Sequence, residues 1–276
     1  MSVLRGSPTI TKIQLVGLDT WTMPVGGGDY MDPYIVKQID GLDPPDQLVA
    51  IADTASGGRF QGKKASDREL VFLVALNSAD PKSQRNELYT MLNTGYDPKV
   101  QIKLFAGITP VSTVAGYITR FEAALYVKDP VVQFTFTCLN PTFKAPSPTQ
   151  IAPALLSEKN PNIYNPGTAE AGFQFAVKFN DDMPNWFIKV AEDQSIGMTF
   201  VKNFHQGDIL AVSTVPGQRY IHWNKRKGAV HNKMGILTEN SEWIKLHPGS
   251  NHFVLPPGAN WQWRGPLSFT PEYWGV

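Results

Sequence analysis

The chain has 276 residues, with 25 basic against 24 acidic side chains and a formal charge of +1. So even a balance sets up no long-range field towards nucleic acid or an anionic membrane. Its single cysteine excludes an intramolecular disulfide. The length suits two domains of about 100–150 residues each. Gly (23) and Pro (22), beside abundant Phe, Tyr, Trp and Val, favour short strands joined by turns. No cationic stretch followed by an apolar one opens the sequence, and no apolar run approaches the roughly 20 residues of a membrane span. The expectation is a soluble, mainly β protein made in a reducing cytoplasm, with no membrane insertion.

Ile10 to Val16 alternates and is predicted as the first strand. Thr20 to Asp32, with its glycine triplet, reads as a flexible loop, and Tyr34 to Ile39 as a short strand ending near Gly41. Gly41-Leu42-Asp43-Pro44-Pro45 is a turn or an extended arm, followed by a long Gly-rich segment to Lys64. Within it, Gly57 to Lys64 is one residue from a phosphate-binding loop. That motif needs Ser or Thr after its lysine and a helix directly afterwards. Position 64 is Lys and the continuation Glu69 to Leu76 is strand-like, so the segment reads as a mobile basic loop.

Leu70 to Leu76 is the longest apolar run and needs cover on both faces. One helix is predicted at about 81–94, with Asp80 as N-cap, Pro81 at the first helical position and Gly95 at the stop. Leu88, Met91 and Leu92 form its apolar stripe. Val100, Ile102 and Leu104 mark a strand, and Thr113 to Val127 a long strand or one with a bulge.

Val131 to Phe143 divides the chain. Val132, Phe134, Phe136 and Cys138 alternate with polar residues, and Asn140-Pro141 then stops the strand. Cys138, in the inward register, reads as a small buried hydrophobe. The next stretch is rich in Pro, Ser, Ala and Asn, the signature of a tether. The predicted organisation is an N-terminal domain over 1–143, a linker over 144–160 and a C-terminal domain over 161–276. Cys138, Asn140, Pro141 and Phe143 mark the junction.

In the second half, Phe173, Phe175, Val177 and Phe179 alternate, and the chain returns through Trp186, Ile188 and Val190. Further strands are predicted at 197–201, 208–214, 219–223, 242–246, 251–255 and 261–264, separated by Pro-Gly and Asn turns. The fold class is therefore mainly β. The first domain is a sandwich or split barrel with one helix, and the second a jelly-roll-like β-sandwich.

Chemistry is sparse. Five histidines lie in the second half, none in a zinc pattern. There is no nucleophile elbow and no dinucleotide fingerprint. The prediction is no catalytic residue, no metal and no cofactor. Six of the seven tryptophans fall after the linker, which raises a carbohydrate-binding alternative. Their inward register favours core packing instead.

Four pieces taken in order carry a resemblance. They are the Gly41–Pro45 turn before a loop and the strand after Arg68, and Cys138-Leu139-Asn140-Pro141-Thr142-Phe143. Then come Asn165-Pro166-Gly167-Thr168-Ala169-Glu170, and Gly207-Asp208 with Trp243 to Phe253. The chain resembles the distal tail proteins of long-tailed bacteriophages. The resemblance implies a galectin-like C-terminal sandwich and a homohexameric ring formed by the N-terminal domain. It implies a hub at the tail tip of the virion that joins tail tube protein, tape-measure protein and tail-tip hub protein. The sandwich would be an attachment platform, with a receptor-binding protein as a further partner. Arg59, Phe60, Lys63, Leu70, Phe72 and Val74 are the candidate ring contacts, because obligate ring interfaces are large and apolar.

Overall fold

The computed structural model describes residues 9–16, 20–27, 32–54, 57–77, 80–92, 100–124, 129–156, 160–224, 230–257 and 260–276. Within 47–54, 57–64, 91 and 230–232 the backbone alone is described. The protein is mainly β with one α-helix among the described residues. It divides into two compact units, Met1–Pro146 with Tyr273–Val276, and Ser147–Glu272.

The first unit contains β1 (Lys12–Val16), β2 (Thr20–Pro24), β3 (Tyr34–Asp40), β4 (Gln47–Thr54), β5 (Gly57–Ala65) and β6 (Glu69–Leu76). Then follow α1 (Pro81–Leu92), β7 (Val100–Ala106), β8 (Thr109–Ala124), β9 (Val131–Cys138) and β10 (Phe143–Lys144). Seven strands form one antiparallel sheet in the order β2-β1-β7-β8-β9-β6-β3, and β10 adds to β8. The two edges of this sheet approach each other. Val25 and Val36 make a single parallel bridge, and the Gly26 N–H donates to the Val36 carbonyl at 2.9 Å. The sheet curls into a split barrel and does not close.

Its interior is filled by alternate residues, as a period of two requires. Ile13, Phe72, Val74, Ile102, Leu104, Phe134 and Phe136 are all fully buried. The helix starts where its cap predicts, with the Asp80 carboxylate accepting the Ser83 N–H at 3.1 Å. Leu88 and Leu92 face the core. Tyr34 anchors the helix to β3 by donating to the Glu87 carboxylate at 2.6 Å. Burial, and then that carboxylate, hold the Tyr34 phenol protonated well above its ordinary range.

Two readings of this half are corrected. Thr20–Pro24 is a strand, because Trp21 and Met23 alternate with the threonines and pair with β1, leaving Met23 fully buried. The Gly-rich segment is not a loop either, since β5 pairs with β4 from end to end apart from one bulge at Gln61. A strand at 57–65 also leaves no helix N-terminus for a phosphate.

The second unit contains β11 (Thr149–Ile151), β12 (Asn162–Asn165), β13 (Phe173–Phe179), β14 (Met183–Val190), β15 (Gly197–Phe204) and β16 (Ile209–Ser213). After these come β17 (Tyr220–Asn224), β18 (Val230–Asn232), β19 (Gly249–Val254), β20 (Trp261–Trp263) and β21 (Leu267–Phe269). One sheet runs β11-β21-β13-β16-β17-β18, with β20 also on β13, and the other β12-β19-β14-β15. Rings from the two sheets meet in one core: Phe175 with Trp186 at 5.7 Å, Phe179 with Phe204 at 4.2 Å, and Phe173 with Phe253 at 5.9 Å. Each such buried ring contributes about 1.5–3 kcal/mol.

Strand β11 and the buried Leu156 lie inside the stretch expected as a tether. The strand expected at 242–246 is absent. Ile244 and Leu246 are buried, but this segment makes a single bridge, Ala171 to Leu246, rather than a ladder.

Candidate assembly site

The strand that divides the sequence ends in a knot of main-chain carbonyls around one buried side chain. Arg68, just before β6, is 2% exposed. Its Nε donates to the Pro141 carbonyl at 2.7 Å and its Nη1 to those of Asp43, at 2.8 Å, and Gly41. Its Nη2 donates to the carbonyl of Trp274. The guanidinium lies over the Phe143 ring, 4.5 Å from its centroid. Burial lowers the Arg68 pKa, with Cys138 and Asp43 opposing that shift. Charge-assisted bonds to carbonyl oxygens and the ring face offset the loss of hydration.

Three of the four residues expected at the domain junction have a place here. Phe143 is fully buried under Arg68, and Pro141 supplies a carbonyl. The Cys138 N–H donates to the Arg68 carbonyl at 2.9 Å. Burial pushes the Cys138 thiol up to about 12, against the pull of Arg68, so it is no nucleophile at neutral pH. Asn140 is exposed. Gly41 is required on two counts. Its φ is +89°, and a Cβ there would stand 2.1 Å from the Glu69 carbonyl oxygen.

Of the candidate ring contacts, Leu70, Phe72 and Val74 point inward with no exposed surface, and Phe72 stacks on Phe134 at 4.8 Å. The opposite face of β6 carries Val71, Leu73 and Ala75, all partly exposed. Arg59, Phe60 and Lys63 lie on β5, whose only strand partner among the described residues is β4.

In the second unit the motif segments meet. Asn165, 1% exposed, accepts from the Gly167 N–H and donates to the carbonyls of Ala169 and Leu246. Asn251 accepts from the His247 N–H and donates to the carbonyls of Ile163, His247 and Gly249. Between these two knots, Glu170 pairs with Lys245 at 2.8 Å and with His247 at 3.1 Å. The Lys245 hydrogen bond is the main cause of a lowered Glu170 pKa. Asp208 accepts the His205 N–H and the indole N–H of Trp223, both at 3.1 Å. These residues shape loops and main-chain turns.

No group of three or more His, Cys, Asp or Glu able to hold a metal occurs among the described residues. An open cleft of about 370 Å³ is lined by Lys178, Phe179, Asn180, Gln206 and Gly207. Trp186, Trp223, Trp261 and Trp263 are buried in the core, so their rings are not surface platforms for a sugar.

A split β-barrel unit with one helix, interrupted in sequence by a β-sandwich and completed by the chain's last residues, defines a two-unit β scaffold. Its distinctive residues hold main-chain turns within each unit. Residues 166–273 match the family described as siphovirus-type tail component, C-terminal domain. No curated protein matches the chain. Among solved structures, the Dit protein of phage SPP1 aligns with a TM-score of 0.64 at 16% identity, over 94% of this chain and 98% of that one. That protein is described as a paradigm of the hub adsorption apparatus in phages infecting Gram-positive hosts. A chain of the phage P2 baseplate in its calcium-activated conformation aligns at TM-score 0.45 and 11% identity, over 96% and 98% of the two chains. The strontium-activated form aligns at 0.44 and 10%, over 96% and 99%.

Residues 166–273 thus match a siphovirus-type tail component C-terminal domain, and the chain has the fold of the SPP1 Dit protein. The resemblance carried by the sequence motifs is borne out. In the described residues no helix is long and apolar enough to cross a membrane.

Proposed function

We propose that the protein is a structural hub of a phage tail tip, six copies forming a ring at the distal end of the tail. The single observation that carries this reading is the match of residues 166–273 to the tail-component domain. The first unit forms the ring against itself and the tail tube. The tape-measure and tail-tip hub proteins join at the same hub. The second unit is the platform that other tail-tip proteins, including a receptor-binding protein, attach to. The role needs no catalysis and no cofactor.

The ring contact is assigned to the β4–β5 ribbon, with Arg59, Phe60 and Lys63, and to the outward face of β6. A two-stranded ribbon is marginal in water by itself, so a neighbouring copy is its natural support. Leu70, Phe72 and Val74 are occupied by the core, and the contribution of β6 falls to Val71, Leu73 and Ala75. Contacts of this head-to-tail kind close into a ring by rotation.

The test is the solution mass of the purified protein by light scattering, with negative-stain images of the same fraction. Six copies of a 30.6 kDa chain weigh about 184 kDa, and a six-fold ring with an open centre is expected. A strict monomer at high concentration, alone and with a tail-tube partner added, would count against the hub.

A further inference from the structure

The first unit is assembled from two stretches of chain that 126 intervening residues, Ser147–Glu272, separate in sequence. Its last piece, Tyr273–Val276, is bound at several points. The Trp274 carbonyl accepts from the buried Arg68. The Val276 N–H donates to the Leu42 carbonyl at 3.3 Å. Tyr273 and Val276 pack on the first unit's core. Gly275 lies so close to the 41–45 turn that a Cβ would stand 3.2 Å from both the Leu42 oxygen and Pro44 Cδ. Arg68 therefore joins four parts of the chain: the turn at 41–43, its own strand, the end of β9, and this strap.

We propose that residues 273–276 are a late lock on the first unit. Chains fold as they are made, N-terminal units first. Residues 1–146 can form their sheet early, but the Arg68 knot lacks one of its carbonyls until residue 274 is in place. Docking of the strap then fixes the 41–45 turn and the exit of β9 together. Completion of the first unit is in this way conditional on translation through the whole of the second. On the hub reading proposed above, this withholds assembly from interrupted chains.

The test uses the full chain with two strap substitutions, Gly275→Val and Val276→Asp, read by hydrogen–deuterium exchange. The expected result is exchange at least tenfold faster in the peptides spanning 41–46 and 138–143, as well as in 273–276. The β13 peptide in the second unit serves as the internal reference and keeps its wild-type rate. Faster exchange confined to 273–276 would overturn the lock, since the strap would then be a passive tail. Unchanged exchange everywhere, the strap included, would overturn it as well, because the close contact at Gly275 would not be needed. Light scattering on the same samples separates the two claims. A wild-type chain that never associates defeats the hub reading and leaves the exchange result to judge the lock. A variant with a released strap that associates like wild type defeats only the assembly clause.

Discussion

The guanidinium of Arg68 stands 4.5 Å from the centroid of the Phe143 ring while its Nε donates to the carbonyl of Pro141, two residues earlier, at 2.7 Å. One side chain thus holds both the turn that ends β9 and the first buried ring beyond it. The Cys-Leu-Asn-Pro-Thr-Phe motif is the length needed to place a carbonyl and an aromatic face around the same cation.

Arg68→Met keeps much of the apolar stem but leaves the carbonyls of Gly41, Asp43, Pro141 and Trp274 without this donor. Each buried carbonyl left without a donor costs about 1–3 kcal/mol, so losing this donor to several of them should cost about 3–5 kcal/mol. The first unit's thermal transition should fall by about 10 °C in calorimetry. Arg68→Lys should recover little of it, because an ammonium cannot present a planar fork to carbonyls on several sides. A lysine variant as stable as wild type would show that charge alone, and not the fork, holds these segments together.

Phe72 separates packing from assembly. With no exposed surface and a stacked Phe134 partner, Phe72→Ala should cost about 3–5 kcal/mol. Phe72→Asp, an unpaired buried charge, should unfold the first unit. Leu73→Lys, on the partly exposed face of the same strand, should leave the fold intact and lower the solution mass. If Leu73→Lys leaves the mass unchanged while the wild type is hexameric, β6 has no part in the ring.

Much of this was legible where burial has a period. Phe173 to Phe179, Val131 to Cys138 and Val100 to Leu104 alternate, and all are strands. Pattern failed where the main chain alone makes the structure. In β5, Gly57, Gly58 and Gly62 offer no alternation, yet its backbone pairs with β4. The reverse error fell at Ile244 and Leu246, whose alternation reports burial beside a single bridge. The Arg68 knot was unreadable for another reason. Its acceptors are carbonyls at 41, 43, 141 and 274, and carbonyls carry no residue identity. Only the Gly41 turn and the Asn-Pro stop hinted that those segments had fixed shapes.

Asn251 is the corresponding test in the second unit. Its amide satisfies one N–H and three carbonyls around the 247–250 turn. Asn251→Asp retains the acceptor but turns the donor into a second acceptor facing those carbonyls. Asn251→Ala should cost about 2–3 kcal/mol and the aspartate at least as much, because buried carbonyls lose their donor. Urea unfolding followed by tryptophan fluorescence reports this unit, which holds five of the seven tryptophans. An aspartate variant milder than the alanine one would show that the Asn251 carbonyl, not its NH₂, is what matters.

Glu170 provides a pH signature for the loop pair that Asn165 and Asn251 build. Its pKa is lowered, first by the Lys245 hydrogen bond. A carboxylate with a depressed folded-state pKa stabilises the fold above its unfolded value, about 4.3, and loses that contribution as pH falls through the folded value. Both side chains are more than a third exposed, Lys245 at 38% and Glu170 at 44%. Solvent screening therefore limits the gain to about 0.5 kcal/mol. Glu170→Gln should lower the stability of the second unit by this amount above about pH 5, and the two curves should converge as the pH falls below the unfolded value and through the folded one. Raising the salt to about 1 M should shrink the gap at neutral pH, since exposed pairs are screened within about 3 Å there. A gap that stays constant as the carboxylate is titrated, and that persists in salt, would mean that glutamine perturbs the loop sterically, and that the ion pair is not what Glu170 supplies.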